Sequence, residues 1–166
     1  MDFESLYETA KLGITYGGIA LGSYATVFCG LSVANSAGRE ITSQKELEAI
    51  TAEESRTLGF KETPRLDIRE RNRAVAEPAQ ESNQQKDTIV LGGIARKRNV
   101  VRHELFHLKR LDENPSLRTL FTSGEDPVSY ARRKLQYFFV EEPLALMYGT
   151  LGIKMGLKNN SQENSP

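Results

Sequence analysis

The chain lacks net charge: its 166 residues carry 22 Lys and Arg against 22 Asp and Glu. A balanced chain has no global field to draw it to nucleic acid or anionic lipid, so a local site must choose its partners. Cysteine is almost missing as well. With Cys29 alone there is no internal disulfide and no thiolate zinc knuckle, and any bound metal takes nitrogen and oxygen ligands. The sequence has no internal repeat, and its length suits one domain with appendages rather than two well-buried cores. Histidine is limited to His103 and His107.

Charge is also missing locally. Residues 12–38, LGITYGGIALGSYATVFCGLSVANSAG, hold no charged side chain over 27 positions, enough for a helix to cross a bilayer core of about 30 Å. Gly13 with Gly17, and Gly18 with Gly22, fit the G-x-x-x-G spacing that brings helices close in membranes. The same glycines weaken a helix in water. Three readings stand: a segment inserting into a membrane through residues 12–35, a buried soluble helix, or a secretory signal cut after Ser32-Val33-Ala34. Asp2, Glu4 and Glu8 against a single Lys11 make a poor positive flank for a signal.

The main domain is expected over 39–157, with 1–38 as an apolar N-terminal segment and 158–166 as a polar, disordered tail. Ser43 with Glu46 forms a capping box, Leu47, Ile50, Glu54 and Leu58 follow at near-helical spacing, and Gly59 supplies a stop. Residues 65–73 alternate loosely and predict a strand, 76–87 predict a polar exposed loop, and TIVLGG at 88–93 predicts a second strand. A helix should then run from Asn99, a good cap, to about Leu111, where Asp112, Asn114 and Pro115 stop it. Another should start at Asp126-Pro127 and continue to about Gly152.

The helix over 99–111 carries His103, Glu104 and His107 in the order H-E-x-x-H. Residues four apart share a helix face, so both imidazoles can reach one ion at about 2.0–2.1 Å. Glu104, one step round, can reach a water beside that ion without joining the ligands. Zinc acidifies such a water toward a pKa of ~7, and the carboxylate takes its proton during attack on a carbonyl and passes it to the leaving amine. Two packed core histidines are the bland alternative. The motif follows an apolar strand and opens a helix with Val100, Val101, Leu105, Phe106 and Leu108 as apolar positions, which favours the metal.

A catalytic zinc usually has three protein ligands and one open position. A third histidine six residues beyond His107 is excluded, because Glu113 stands there, and the glycine expected between is Arg110. Downstream carboxylates remain. Asp112, Glu113, Glu125 and Asp126 fall at turns, whereas Glu141 and Glu142 sit in a helix able to pack across the first. Neighbouring side chains on a helix point about 100° apart, so only one of the two faces the metal.

These residues resemble the glutamate-ligand zincins, or gluzincins, which combine H-E-x-x-H with a later helix carrying E-x-x-A. Glu142-Pro143-Leu144-Ala145 fits that pattern with Glu142 as the ligand, and Glu141 fits it less well. More specifically, ITSQKELEAITAEESRTLGF, VRHELFHL and YFFVEEPLALMYGTLG together look like the metallopeptidase toxin domains at the C-terminal ends of Rhs-type polymorphic toxins of bacteria. The resemblance covers roughly residues 12 to 152. It implies zinc-dependent hydrolysis of peptide bonds by an exported effector acting in a target cell, with a cognate immunity protein in the producer. Two positions depart from the pattern. Pro143 removes a helical hydrogen bond and predicts a kink that either aims Glu142 at the metal or lets Glu141 serve. Leu146 stands where the group has a polar residue, which removes a candidate partner for fixing a ligand histidine's tautomer.

Arg96, Lys97 and Arg98 read as a solvated turn rather than a site for an acidic partner. Tyr137 and Tyr148 read as core, with donation to an oxyanion as the functional alternative. Phe138, Phe139, Leu144 and Met147 read as core. The expected whole is α+β and zincin-like: an apolar Gly-rich segment, a helix, a short sheet, the H-E-x-x-H helix and a C-terminal glutamate helix. Its expected site has Glu104 as catalytic base and His103, His107 and Glu142 holding Zn2+. The expected partners are a protein or peptide substrate, an immunity protein and a membrane, with no nucleic acid. The rival readings are a membrane-anchored interaction protein with a structural or vestigial metal site, a housekeeping membrane protease, and a cytoplasmic location.

Overall fold

The computed structural model describes residues 3–69, 74–77, 87–92, 95–115, 117 and 126–157. Most of the polar loop expected after residue 77, Glu125, and the tail 158–166 lie outside the described residues. The elements run α1 (Phe3–Ser36), α2 (Gln44–Thr57), β1 (Arg65–Arg69), β2 (Ala74–Glu77), β3 (Thr88–Gly92), α3 (Arg98–Glu113), α4 (Pro127–Gln136), a π-helical turn (Tyr137–Glu141) and α5 (Glu142–Leu151). The class is α+β, with helices dominating a small sheet.

That sheet has the order β1-β3-β2, with β1 parallel and β2 antiparallel to β3. Ile89 and Leu91 of the central strand are fully buried, as their apolar run requires. Residues 76 and 77, expected in the loop, instead pair with Ile89 and Thr88. Their short Ala-rich segment has little strand signal of its own, and the open edge of β3 supplies the pairing.

α2 forms where the capping box predicts: the Ser43 hydroxyl accepts from the Glu46 N–H at 3.4 Å, and Gly59 takes the left-handed φ of 73° that ends the helix. α3 is the central helix. Val101, Leu105, Phe106 and Leu108 are buried against α2, the sheet and α5, in one core with Leu47, Ile89, Leu91, Ala145 and Tyr148. The helix starts one residue before Asn99, with Lys97 at its cap and no side-chain capping bond. Asn99 is diverted to α1, where its Nδ2 donates to the Ala34 carbonyl at 3.2 Å.

α1 divides into two stretches. From Tyr24 onward a partly buried stripe of Tyr24, Phe28, Leu31, Ser32 and Asn35 recurs at helical spacing and packs on α5 and α3. Before Tyr24, residues 11–23 are exposed on every face. Lys11–Ser36 is the one described stretch long and apolar enough to cross a membrane by length and composition.

The glutamate helix is not continuous. Asp126 caps α4 by accepting from the N–H groups of Val128 and Ser129 at 2.9 and 3.0 Å, as expected. The five-residue π-helical turn then intervenes before Pro143, and the Glu142 N–H bonds five residues back to the Tyr137 carbonyl. A proline ring clashes with the carbonyl four residues before it in an α-helix, and the wider turn relieves that contact. The extra residue also rotates the phase of the side chains. Phe138 and Phe139, expected in the core, are therefore 54% and 44% exposed and lie at the edge of α1, against Phe28 and Tyr24 at ring distances of 5.5 and 4.9 Å.

Candidate metal centre

His103 and His107 lie one turn apart on the face of α3 that meets α5, both buried. Their rings are nearly perpendicular, and their Nε2 atoms are 3.1 Å apart. Glu142 enters from the start of α5. One carboxylate oxygen lies 3.4 Å from His103 Nε2 and the other 3.1 Å from His107 Nε2. The three side chains can each offer one ligand atom within 4.8 Å of the others.

These distances can be tested against a metal. Ligands at about 2.0–2.1 Å in a tetrahedron are separated by ~3.3–3.4 Å; the two Nε2 atoms, 3.1 Å apart, are close to one such edge, and each lies 3.1–3.4 Å from a different oxygen of Glu142. The chemistry of the donors agrees. With both imidazoles neutral and their Nε2 atoms unprotonated, the two nitrogens and a carboxylate oxygen present lone pairs to a common point, which a cation satisfies. The residues fit a divalent ion such as zinc.

The electrostatics follow from the same crowding. Burial works against a charged His103, but the Glu142 hydrogen bond and the Glu104 and Glu142 charges outweigh it and raise the pKa. Burial likewise opposes ionisation of Glu142, and hydrogen bonds from both histidines hold its carboxyl well below the usual range. His103 Nδ1 is buried without a hydrogen-bond partner, and the Ala145 backbone adds only the weakest of the upward pulls on this ring.

Arg110 separates the two glutamates. Its Nε and Nη2 donate to the two oxygens of Glu141 at 2.9 and 2.8 Å, a bidentate pair that occupies the buried Glu141 completely. Glu142, the next residue, turns to the histidines. The signal for this was readable: Arg110 stands three residues after His107 and so shares the ligand face.

Glu104 is buried beside the cluster, and its charge bears on both His103 and Tyr137. Tyr137 stacks on His107 with ring centroids 5.6 Å apart. Burial first, then the charge of Glu142 and a hydrogen bond to it, push the Tyr137 phenol far above its ordinary pKa, so it stays a proton donor. Tyr148 does not join the site. It is 1% exposed, and its hydroxyl donates to Glu54 Oε2 at 3.4 Å. Burial, then Glu54, pushes it up to about 12.

Glu54 anchors a second polar cluster absent from the sequence reading. Its Oε1 lies 2.6 Å from Arg98 Nη2 and 2.8 Å from Arg102 Nε, the latter an ion pair without hydrogen-bond alignment. Arg98 also pairs with Glu53, and Lys97 donates to the Ser36 carbonyl. The basic run is therefore a half-buried joint between α1, α2 and α3, not a solvated turn, because two acidic residues of α2 face it. Of the other carboxylates considered, Asp112 and Glu113 pair with Lys109 and Asp126 caps α4, all away from the histidines.

Gly149 has a packing role. A Cβ there would fall 2.3 Å from Asn35 Oδ1, 2.8 Å from the Asn99 carbonyl and 3.2 Å from His103 Cβ. Its hydrogen lets α1 and α5 close over the histidine helix. Comparison with protein-family models, with curated proteins and with solved structures finds no match.

Proposed function

We propose that this chain is a zincin-like, zinc-dependent metallopeptidase in which His103, His107 and Glu142 hold the metal and Glu104 is the general base. The observation that carries the reading is the convergence of His103, His107 and Glu142, whose candidate ligand atoms lie within 4.8 Å of one another, with Glu104 buried beside them. Bound zinc supplies Lewis acidity, which activates water and polarises a carbonyl. Glu104 receives the proton released by the attacking water and delivers it to the leaving amine nitrogen as the C–N bond breaks. Tyr137, stacked on His107, would donate its hydroxyl to the oxygen on which negative charge develops. His103 has no carboxylate on Nδ1 to orient its ring.

The setting supported by the sequence resemblance is a bacterial toxin effector with an immunity protein as partner. The exposed apolar α1 supports a membrane-associated protein. Glu104→Gln tests the chemistry: zinc content should match the wild type, while peptide-bond cleavage falls by ~10²–10⁴-fold. Expression in bacteria tests the setting, since the wild type should arrest growth and Glu104→Gln should not. Harmless expression of an active protease supports a housekeeping enzyme. Equal behaviour of the two proteins in both assays supports a structural metal site.

A further inference from the structure

Pro143 follows the third ligand directly, and it has no N–H to give. In the π-helical turn the Glu142 N–H bonds to the Tyr137 carbonyl, and the next donor in that register, due at the Phe138 carbonyl, would be residue 143. The helix therefore leaves the Phe138 carbonyl without a backbone donor from either position. The vacancy is filled from outside the helix. Tyr24, 114 residues earlier in the chain, donates its hydroxyl to the Phe138 carbonyl at 2.6 Å. Its ring lies on Phe139 at 4.9 Å, and Phe28, one turn along α1, stacks on Phe138 at 5.5 Å.

We propose that Tyr24 is a positioning residue for Glu142: by capping the Phe138 carbonyl it fixes the π-helical turn whose phase sends Glu142, and not Glu141, to the histidines. The inference rests on the metal-site reading above. Without the hydroxyl, the bare Phe138 carbonyl competes with the Tyr137 carbonyl for the Glu142 N–H and draws the turn toward the α-register, against the contact that the Pro143 ring makes there. That change turns the side chains of the following residues by a fraction of the 100° step between neighbours and moves the carboxylate off the common point. α1 is then part of the metal centre's scaffold as well as an apolar segment, and docking of α1 and binding of metal strengthen each other by linkage.

The test uses the full chain in detergent, loaded with zinc or cobalt(II) and titrated against a chelator. Tyr24→Phe keeps the ring and removes the hydroxyl. It should bind zinc about 10-fold more weakly, the loss typical of removing a group that orients a ligand, and its cobalt(II) d–d bands should weaken as the tetrahedral set loses the carboxylate. Phe28→Leu disturbs the same packing but leaves the hydroxyl, and should keep zinc affinity within about 2-fold of the wild type, as a contact that does not orient a ligand would. In a Pro143→Ala background that still binds zinc, Tyr24→Phe should lose nothing, because residue 143 or 142 then supplies the donor. Wild-type affinity and spectrum in Tyr24→Phe overturn the inference and leave the metal site standing, as does an equal loss in Phe28→Leu. A wild-type chain that binds neither ion overturns the metal-site reading instead.

Discussion

On one side of α3, Arg98 and Arg102 close around Glu54, while one residue further round His103 and His107 converge on Glu142. Both clusters bury a carboxylate against two residues spaced four apart, yet they end differently. Glu54 meets fixed positive charges, so its cluster is complete without any added species. Glu142 meets imidazoles, which offer lone pairs as readily as protons, so its cluster could also hold a cation. Spacing thus brings groups together on a helix, and the identity of the groups decides whether the result is a joint or a site. Arg110 shows both outcomes side by side, closing Glu141 and leaving Glu142 for the histidines.

The contrast can be broken most forcefully at the paired glutamates. Glu142→Gln should lower zinc affinity on the order of 10²-fold, taking the ~10–16 kcal/mol of a four-ligand zinc site as shared among its ligands. Glu141→Gln should retain zinc and lose instead about 2 kcal/mol of stability, through weakening of a charged, bidentate pair. Chelator titration and urea unfolding of both variants give the comparison. Similar zinc losses would mean that the two carboxylates share the metal.

Glu54→Ala should act on folding alone. Its loss should cost about 2–3 kcal/mol in urea unfolding, at or below the ~3–5 kcal/mol of a fully buried pair, because Arg98 and Arg102 are 42% and 26% exposed and can recover water. Zinc stoichiometry of the folded fraction should stay unchanged. Gly149→Ala should cost about 1–2 kcal/mol by forcing α1 from α5, whereas Gly17→Ala, whose added Cβ meets nothing within 4 Å, should stabilise its helix by up to about 1 kcal/mol. Thermal unfolding separates the two signs, and destabilisation by Gly17→Ala would place an unseen partner on that face.

The smallest effect is the sign of a slope. In metal-free protein the raised His103 pKa contributes stability that is present below the unfolded value near 6.5 and is lost as pH rises through the folded value. Zinc reverses the sign, because it binds the unprotonated rings and competes with protons. Melting temperature should therefore fall with pH above about 6.5 without zinc, and with zinc should rise up to about 6.5 and then level off, each slope within about 1.4 kcal/mol per pH unit for one proton. Parallel slopes would exclude His103 as the group that binds the metal.

Local patterns were legible wherever the cause was local. The capping box at Ser43, the Asp126 cap, the apolar β3 and the helix around His103 each depend on residues a few positions apart. Phe138 and Phe139 were misread because their exposure follows from the π-helical turn. β2 was misread because its pairing comes from β3. Tyr24 had no local signal at all, since its partner is a carbonyl on a distant helix that a proline deprives of a donor.

The sequence by itself determined the donor types available, the shared face of His103 and His107, and that any third side-chain donor beside them comes from elsewhere in the chain, because side-chain chemistry and helical pitch are fixed by composition and spacing. Only the tertiary structure decided that Glu142, and not Glu141, lies against the two histidines, since Arg110 holds Glu141 and Tyr24 of α1 bonds to the π-helical turn. Those are contacts between segments far apart in the chain, and their geometry exists only once the helices are packed.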